Sequence, residues 1–223
     1  KNLLFCVITP KPVDMRRSLL VFAALCCGYA LQAQKLMSIK VKDPIICYAS
    51  AENHPHYVAP PEEYQNRKSG SARTNSTVIE VTYIGFGGVP QAQQAFQRAV
   101  DIWASLLKTS VPIRIEARWT PLAAGVLGSA NYTSAYANFT GAQKINVFYP
   151  VAIAEKITGR ELNGASEPDI FANFSSTFDW HFNPDAPVPA GKYDLTTVVL
   201  HEIGHGLGFS GSLRVSGTTG LFG

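Results

Sequence analysis

The chain has 223 residues, 46% of them hydrophobic and 16% charged, which is ordinary for a globular protein of one domain with attached segments. The formal net charge of +3 belongs to residues 1–34, which hold four of the 19 Lys and Arg and one of the 16 Asp and Glu. The remainder is balanced at 15 against 15 and has no basic cluster, so we expect no nucleic-acid or anionic-lipid partner.

The first 34 residues carry the pattern of an export signal. The stretch 15-MRRSLLVFAALCCGYALQAQ-34 has two arginines, then a 13-residue apolar run, then the small residue Ala33 at a plausible cleavage point. This order of features predicts a secretory signal peptide, and no stretch reaches the roughly 18 apolar residues of a membrane span. We therefore expect a secreted or extracytoplasmic protein without stable membrane insertion after cleavage. Met15 is then the expected initiator, and residues 1–14 are expected to be non-native upstream sequence.

The segment from residue 35 to residue 76 is polar and proline-bearing, and its end, 59-APPEEYQNRKSGSARTNS-76, is typical of a propeptide or linker. It contains Cys47, the one cysteine outside residues 1–34. A single cysteine can form neither an internal disulfide nor a cysteine-rich zinc site. We therefore expect stability to come from packing or from a bound metal.

The folded region is expected to span residues 77–223. Four segments are rich in β-branched or alternating apolar residues and predict strands: 77–86, 111–122, 144–150 and 169–178. Two segments before the last helix are predicted to be helical, the longer because its apolar residues recur every 3.6 positions: 90–108 and 151–159. Helices that interrupt a mostly non-parallel series of strands favour an α+β fold, with a twisted sheet backed by helices.

The motif with the clearest chemistry lies on a final predicted helix, 195-LTTVVLHEIGHGL-207. Asp194 is a good N-cap for it, and Gly208 suits the left-handed residue that ends it. His201 and His205 lie one turn apart, so both imidazoles face one point. Glu202 between them can reach a water bound there, as in a zinc hydrolase.

Two glycines within this helix, Gly204 and Gly206, argue against the alternative that His201 and His205 are surface histidines on an ordinary helix. Each costs up to about 1 kcal/mol of helix stability relative to alanine, so each suggests a packing or access requirement.

The stretch 194-DLTTVVLHEIGHGLGF-209 resembles the active-site helix of zincin metallopeptidases, and most closely that of exported bacterial zincins with an HEIGHGLGF-type motif. The resemblance extends back through 90–108 and 111–122 to 169-DIFANFSS-176. It implies a zincin-like twisted mixed sheet backed by helices. It also implies a protein or peptide as the substrate.

The same resemblance implies a role for each motif residue. His201 and His205 are then zinc ligands, and Glu202 is the general base that activates a zinc-bound water. In zincins the strand before this helix commonly binds peptide as an added antiparallel strand, which makes 169–176 a candidate. A plain sheet strand is the alternative for that segment.

A catalytic zinc site usually has three protein ligands, and the third is not evident. No His, Asp, Glu or Cys follows His205, and the position that a metzincin would use is Gly211. We expect the third ligand beyond Gly223, in a C-terminal subdomain that this chain lacks. The alternatives are His181 or Asp185 reaching back from upstream, or a zincin relic that binds metal weakly or not at all.

These observations predict an exported zinc metallopeptidase, represented here by its leader, its propeptide or linker, and the N-terminal part of its catalytic domain. Whether this part is active by itself stays open. Two other readings stay open. One is a non-catalytic exported binding or adhesion module that retains the fold, and the other is a zinc-dependent hydrolase of a different amide or of an ester.

Overall fold

The computed structural model describes residues 35–50, 59–68, 77–183, 185–211, 213–216 and 219–222. Residues 36–223 form one compact unit. The predicted signal peptide and residues 1–14 lie outside the described residues. The described part is α+β, as the sequence predicted, with four α-helices and several sheets.

The helices and strands take the following bounds. The helices are α1 (Glu62–Lys68), α2 (Pro90–Leu106), α3 (Val151–Thr158) and α4 (Leu195–Gly206), with a 3-10 turn at Phe86–Gly88. The strands are β1 (Met37–Lys40), β2 (Ile45–Tyr48), β3 (Ile79–Ile84), β4 (Ile113–Thr120), β5 (Val126–Tyr132), β6 (Ser134–Ala137), β7 (Tyr149–Pro150), β8 (Ile170–Ser175), β9 (Trp180–His181), β10 (Tyr193–Asp194), β11 (Leu213–Ser216) and β12 (Thr219–Phe222). None of the described helices is both long and apolar enough to cross a bilayer.

The main sheet has five strands in the order β2-β5-β8-β4-β3. β3, β4 and β8 run parallel, whereas β5 is antiparallel to β8 and β2 is antiparallel to β5. The prediction of a mostly non-parallel series is therefore wrong for β3, β4 and β8, whereas β2 and β5 agree with it. Parallel neighbours need a long crossover connection. Helix α2 forms the crossover between β3 and β4, and the segment that contains β5 to β7 and α3 forms the one between β4 and β8.

The core lies between this sheet and helices α2 and α4. The predicted stripe of α2 is buried, with Phe96 fully enclosed, and the alternating apolar residues of β4 meet it. Phe96 packs edge to face on Phe174 of β8, with ring centroids 5.4 Å apart. Burying an aromatic side chain of this kind contributes about 1.5–3 kcal/mol, so these contacts anchor the helices to the sheet.

The segment 144–150 is not the strand that the sequence predicted. It is an exposed connection in which only Tyr149 and Pro150 pair, as β7 against β6. Ile145, Val147 and Phe148 are exposed, so their apolar character does not reflect burial in a sheet.

The predicted propeptide or linker, 35–76, contributes two strands to the compact unit. β1 pairs with β6 in a three-stranded sheet, and β2 forms one edge of the main sheet beside β5. The strand β5 was not predicted, because its sequence VLGSANY has small and polar residues in place of a β-branched pattern. The N-terminal segment therefore reaches the sheet that supports α4.

Candidate metal centre

Helix α4 begins and ends where the local sequence predicted. The Asp194 side chain accepts hydrogen bonds from the backbone N–H of Thr197 at 2.7 Å and from its hydroxyl at 2.6 Å, which caps the helix. At the other end Gly208 has φ +106°, a conformation that glycine adopts without a Cβ penalty. A β-carbon on Gly208 would also lie 2.7 Å from Cγ of Pro150.

The two interior glycines of α4 differ in their surroundings. A β-carbon on Gly206 would lie 2.8 Å from Cδ1 of Ile170, so the helix packs closely on β8 at this point. The prediction of a packing requirement is confirmed for Gly206. At Gly204 the nearest atom to such a carbon is Cζ2 of Trp103 at 3.7 Å, an ordinary contact, so packing does not require glycine there.

The two histidines converge as the helical spacing predicted. Nε2 of His201 lies 2.9 Å from Nε2 of His205, and the ring centroids are 4.5 Å apart. The backbone carbonyl of Phe209 can only accept, so Nδ1 of His205 is the donor in the hydrogen bond between them. That bond leaves Nε2 of His205 free to act as a ligand, which is a common arrangement at metal-binding histidines.

Glu202 is fully buried beside this pair. Its carboxylate oxygens have no hydrogen-bond partner among the described residues other than the Cys47 thiol. Burial raises the pKa of Glu202 to about 8, and the nearby Cys47 thiol acts in the opposite direction. The carboxylate fits against the backbone of Gly128, where a β-carbon would lie 3.3 Å from Oε1 of Glu202.

A donor side chain from the N-terminal segment, Cys47, lies beside His201 and Glu202, in a group that does not include His205. One ligand atom each from Cys47, His201 and Glu202 lie within 4.8 Å of one another. Strand pairing explains the approach, because Cys47 on β2 stands opposite Gly128 on β5. Cys47 is not among the site residues that the sequence predicted, because it precedes the motif by more than 150 positions. The signal available was a lone cysteine within the short apolar run 45-IICY-48.

The residues present fit a divalent metal ion. Two ligands bound tetrahedrally at 2.0–2.1 Å from zinc would lie about 3.3 Å apart, close to the spacing of the two Nε2 atoms. Burial and the neighbouring His205 lower the pKa of His201, which favours the neutral imidazole that binds metal. The buried carboxylate of Glu202 adds a negative group that a cation would compensate.

The upstream candidates for the third ligand have other partners. The Asp185 carboxylate forms an ion pair with Arg98 at 2.8 Å, and Nε2 of His181 lies 3.2 Å from the backbone carbonyl of Ala186. In the part of the chain that the structure describes, neither belongs to a group of three potential ligands. Gly211 is exposed and has no side chain to offer.

The candidate peptide-binding strand 169–176 is placed differently from the expectation. Its regular part, β8, is hydrogen-bonded to β4 on one side and to β5 on the other. A strand that is paired on both edges has no free backbone groups for an added peptide, so this candidate is wrong and the plain sheet strand is correct. The neighbouring strand β5 is likewise paired on both edges, with β8 on one side and β2 on the other.

No significant match exists among curated proteins or among solved structures. A family model described as SPBPB7E8-like matches residues 64–216, which is more than half of the chain and includes all of α4. The match begins after Cys47. The chain therefore belongs to the SPBPB7E8-like family.

Proposed function

We propose that this chain is an exported, zinc-dependent metallopeptidase of zincin type. One observation carries the proposal: the Nε2 atoms of His201 and His205 converge at 2.9 Å, and the buried carboxylate beside them, Glu202, has no partner among the described residues other than the Cys47 thiol. Leaving a polar group buried and unpaired costs about 1–3 kcal/mol, and such groups cluster where function requires them.

Each of the three residues has a role that follows from its surroundings. His201 and His205 would hold the ion as neutral imidazoles, and the hydrogen bond from His205 to the carbonyl of Phe209 orients the second ring. When bound, zinc lowers the pKa of its water towards 7 and polarises the scissile carbonyl. Glu202 would accept a proton from the attacking water and deliver it to the leaving amine. Its carboxylate form is favoured by a neighbouring cation, which opposes the effect of burial on its pKa.

The proposal also covers the substrate class, the fold and the export of the protein. A peptide is favoured over another amide or an ester by the likeness of 194-DLTTVVLHEIGHGLGF-209 to the active-site helix of zincin metallopeptidases. A zincin-like fold is supported by the motif helix, whose Gly206 brings it close to Ile170 of a mixed sheet. Export is supported by the signal pattern of residues 15–34.

The test is the variant Glu202→Gln, compared with the native chain for bound zinc and for hydrolysis of a quenched fluorescent casein. The general-base role predicts that zinc content is retained while hydrolysis falls by at least about 100-fold. The matched control is Glu155→Gln, a second buried glutamate whose side chain accepts from the backbone N–H of Leu162 at 2.7 Å, remote from the histidine pair in sequence.

Two results would contradict the proposal. A chain that binds no zinc, with both histidines intact, excludes the metal centre. Hydrolysis that is equal in the native chain and Glu202→Gln, at equal zinc content, favours the non-catalytic binding module.

A further inference from the structure

We propose that Phe209, with Trp103 behind it, forms a subsite beside the histidine pair that receives a large apolar side chain of the peptide substrate. The inference rests on the proposed function and deepens it by naming the substrate class. That class is peptides with an aromatic or branched aliphatic residue close to the scissile bond. The side chain of Phe209 then determines specificity, whereas its backbone carbonyl orients His205.

The backbone of Phe209 is attached directly to the proposed metal site. Its carbonyl accepts the hydrogen bond from Nδ1 of His205, and its N–H donates to the carbonyl of Gly204 at 3.0 Å. Nδ1 and Nε2 belong to one five-membered ring, so a single imidazole separates residue 209 from the atom that would hold the metal. An extended peptide advances about 3.4 Å per residue. A peptide whose scissile bond lies at the histidine pair therefore places a side chain near that bond, and not a distant one, beside Phe209.

The side chain of Phe209 points outward from this fixed backbone. It is 71% exposed, the highest value for a large apolar side chain in the part of the chain that the structure describes. Covering the ring with another apolar group would remove apolar surface from water, which favours association. An aromatic side chain with two torsion angles also loses little conformational entropy on binding. Phe209 is therefore well suited to contact an apolar ligand.

A lone exposed apolar side chain is ordinary on a protein surface, but Phe209 belongs to a larger apolar surface. Its ring centroid lies 6.4 Å from that of Trp103 on α2, within the range of about 4.5–7 Å for aromatic pairs. The indole is held in place because its Nε1 donates to the carbonyl of Leu200 at 3.1 Å. Leu106, which follows Trp103 by three positions on α2 and so lies on the same side of that helix, is 42% exposed.

The indole of Trp103 lies against the turn of α4 that carries the histidines. A β-carbon on Gly204 would lie 3.7 Å from Cζ2 of Trp103. Gly204 follows His201 by three positions, so the two residues are neighbours on the helix surface. Because residue 204 has no side chain, the indole meets the helix backbone directly. The apolar surface therefore begins next to the histidine pair.

The size of this surface favours a substrate side chain over a second copy of the chain. An aromatic residue buries about 150–250 Å² at most, and Trp103 is already half-buried. A stable protein interface covers about 800 Å² on each partner. The surface of Phe209, Trp103 and Leu106 is thus too small for a stable dimer, but it can cover one apolar side chain.

The first test measures binding, which does not depend on hydrolysis. The zinc-loaded full chain is titrated by calorimetry with acetohydroxamate and with phenylacetohydroxamate, which differ only by a phenyl group. We expect the native chain to bind the phenyl compound at least about tenfold more tightly than the methyl compound, because the phenyl group is covered by Phe209. The ratio should fall to near one in Phe209→Ala and stay above about threefold in Phe209→Leu.

All these variants keep the backbone carbonyl that orients His205, so zinc content should be unchanged. The matched control is Ile145→Ala, which removes another exposed apolar side chain, 63% exposed, from the connection before α3. It should keep the ratio of the native chain.

The second test maps the bonds that each chain cleaves in casein by mass spectrometry of the products. We expect Phe, Leu, Ile, Met or Tyr to be enriched at one position beside the cleaved bonds in the native chain and in Ile145→Ala. Phe209→Ala should lose most of this enrichment, because specificity depends on contacts that differ between substrates.

The outcomes separate this inference from the proposed function. A native chain that binds no zinc removes both. Zinc binding with equal affinity for the two hydroxamates, or with the same ratio in the native chain and Phe209→Ala, removes this inference alone. Loss of zinc in both Phe209→Ala and Phe209→Leu would make the ring a structural support of the metal site and would overturn the subsite. A dimer in sedimentation that Phe209→Ala abolishes would make a second copy the occupant and would also overturn it.

Discussion

The backbone carbonyl of Phe209 accepts a hydrogen bond from Nδ1 of His205, four residues earlier in the chain. The chain can return to this position because Gly208, between the helix and Phe209, has φ +106°. The end of helix α4 and the orientation of one proposed metal ligand are therefore set by one glycine.

Gly208→Ala should weaken both stability and metal binding. An alanine at φ +106° is strained by about 1–3 kcal/mol, and its β-carbon would meet Pro150 at 2.7 Å. We expect a lower free energy of unfolding, measured by urea denaturation, and a zinc affinity reduced by about 10–100-fold through loss of the hydrogen bond to His205. Gly211→Ala is the control, since nothing lies within 4 Å of its added carbon. Unchanged zinc affinity in Gly208→Ala would contradict the orienting role.

Gly206→Ala and Gly204→Ala should have opposite effects on stability, although both add a methyl group to the same helix. At residue 206 the added carbon meets Ile170 at 2.8 Å, and overpacking of this kind costs about 1–3 kcal/mol. At residue 204 the nearest contact is 3.7 Å, so the better helix propensity of alanine gains up to about 1 kcal/mol. Urea unfolding of both variants measures this.

A double variant tests whether contact with Ile170 causes the loss of stability in Gly206→Ala. Adding Ile170→Ala to Gly206→Ala removes all three side-chain atoms that the new carbon would meet, Cγ2, Cγ1 and Cδ1, so the double variant should be more stable than the sum of the two single changes predicts. Strict additivity would show that the helix does not press on Ile170.

Gly128→Ala should reduce hydrolysis more than it reduces zinc content. The new carbon would lie 3.2 Å from Cγ of Glu202, so the carboxylate must shift by a few tenths of an ångström. Displacements up to about 1 Å near reacting atoms cost up to about 100-fold in rate. The control is Gly87→Ala, at an exposed position with no atom within 4 Å. Steady-state hydrolysis with metal analysis on the same sample is the measurement, and equal rates in both variants would show that hydrolysis does not depend on this placement of the Glu202 carboxylate.

Glu155 should make stability depend on pH, apart from the metal centre. Burial raises the pKa of this carboxyl from 4.5 to about 7 in the folded chain. Between these two values the folded state keeps a proton that the unfolded state has released, so stability falls as pH rises from about 4.5 to 7 and then stays reduced.

Glu155→Gln removes that titration and keeps a carbonyl oxygen to accept from Leu162. We expect its free energy of unfolding to exceed that of the native chain by on the order of 1–3 kcal/mol at pH 8, with a higher unfolding temperature, and to be nearly the same at pH 5. Thermal unfolding at both pH values is the measurement. A variant that is less stable than the native chain at pH 8 would mean that the ionised carboxylate is stabilising.

The local sequence determined the structural features that depend on a single segment of the chain. The 3.6-residue period predicted α2, and Asp194 with Gly208 predicted the ends of α4, because caps and amphipathic faces depend on residues a few positions apart. The convergence of His201 and His205 follows from the same rule, since it needs only one helical turn.

The tertiary structure decided the rest, because it depends on contacts between distant segments. No local pattern shows that the apolar run 144–150 is exposed. Nor does one show that β5, a strand of mostly small residues, lies within the sheet beside the site. Burial of Glu202 and the close fit of Gly206 on Ile170 arise only when α4 meets the sheet. The approach of Cys47 depends on pairing between β2 and β5, two strands about 80 positions apart, whose register is set by long-range hydrogen bonds and burial.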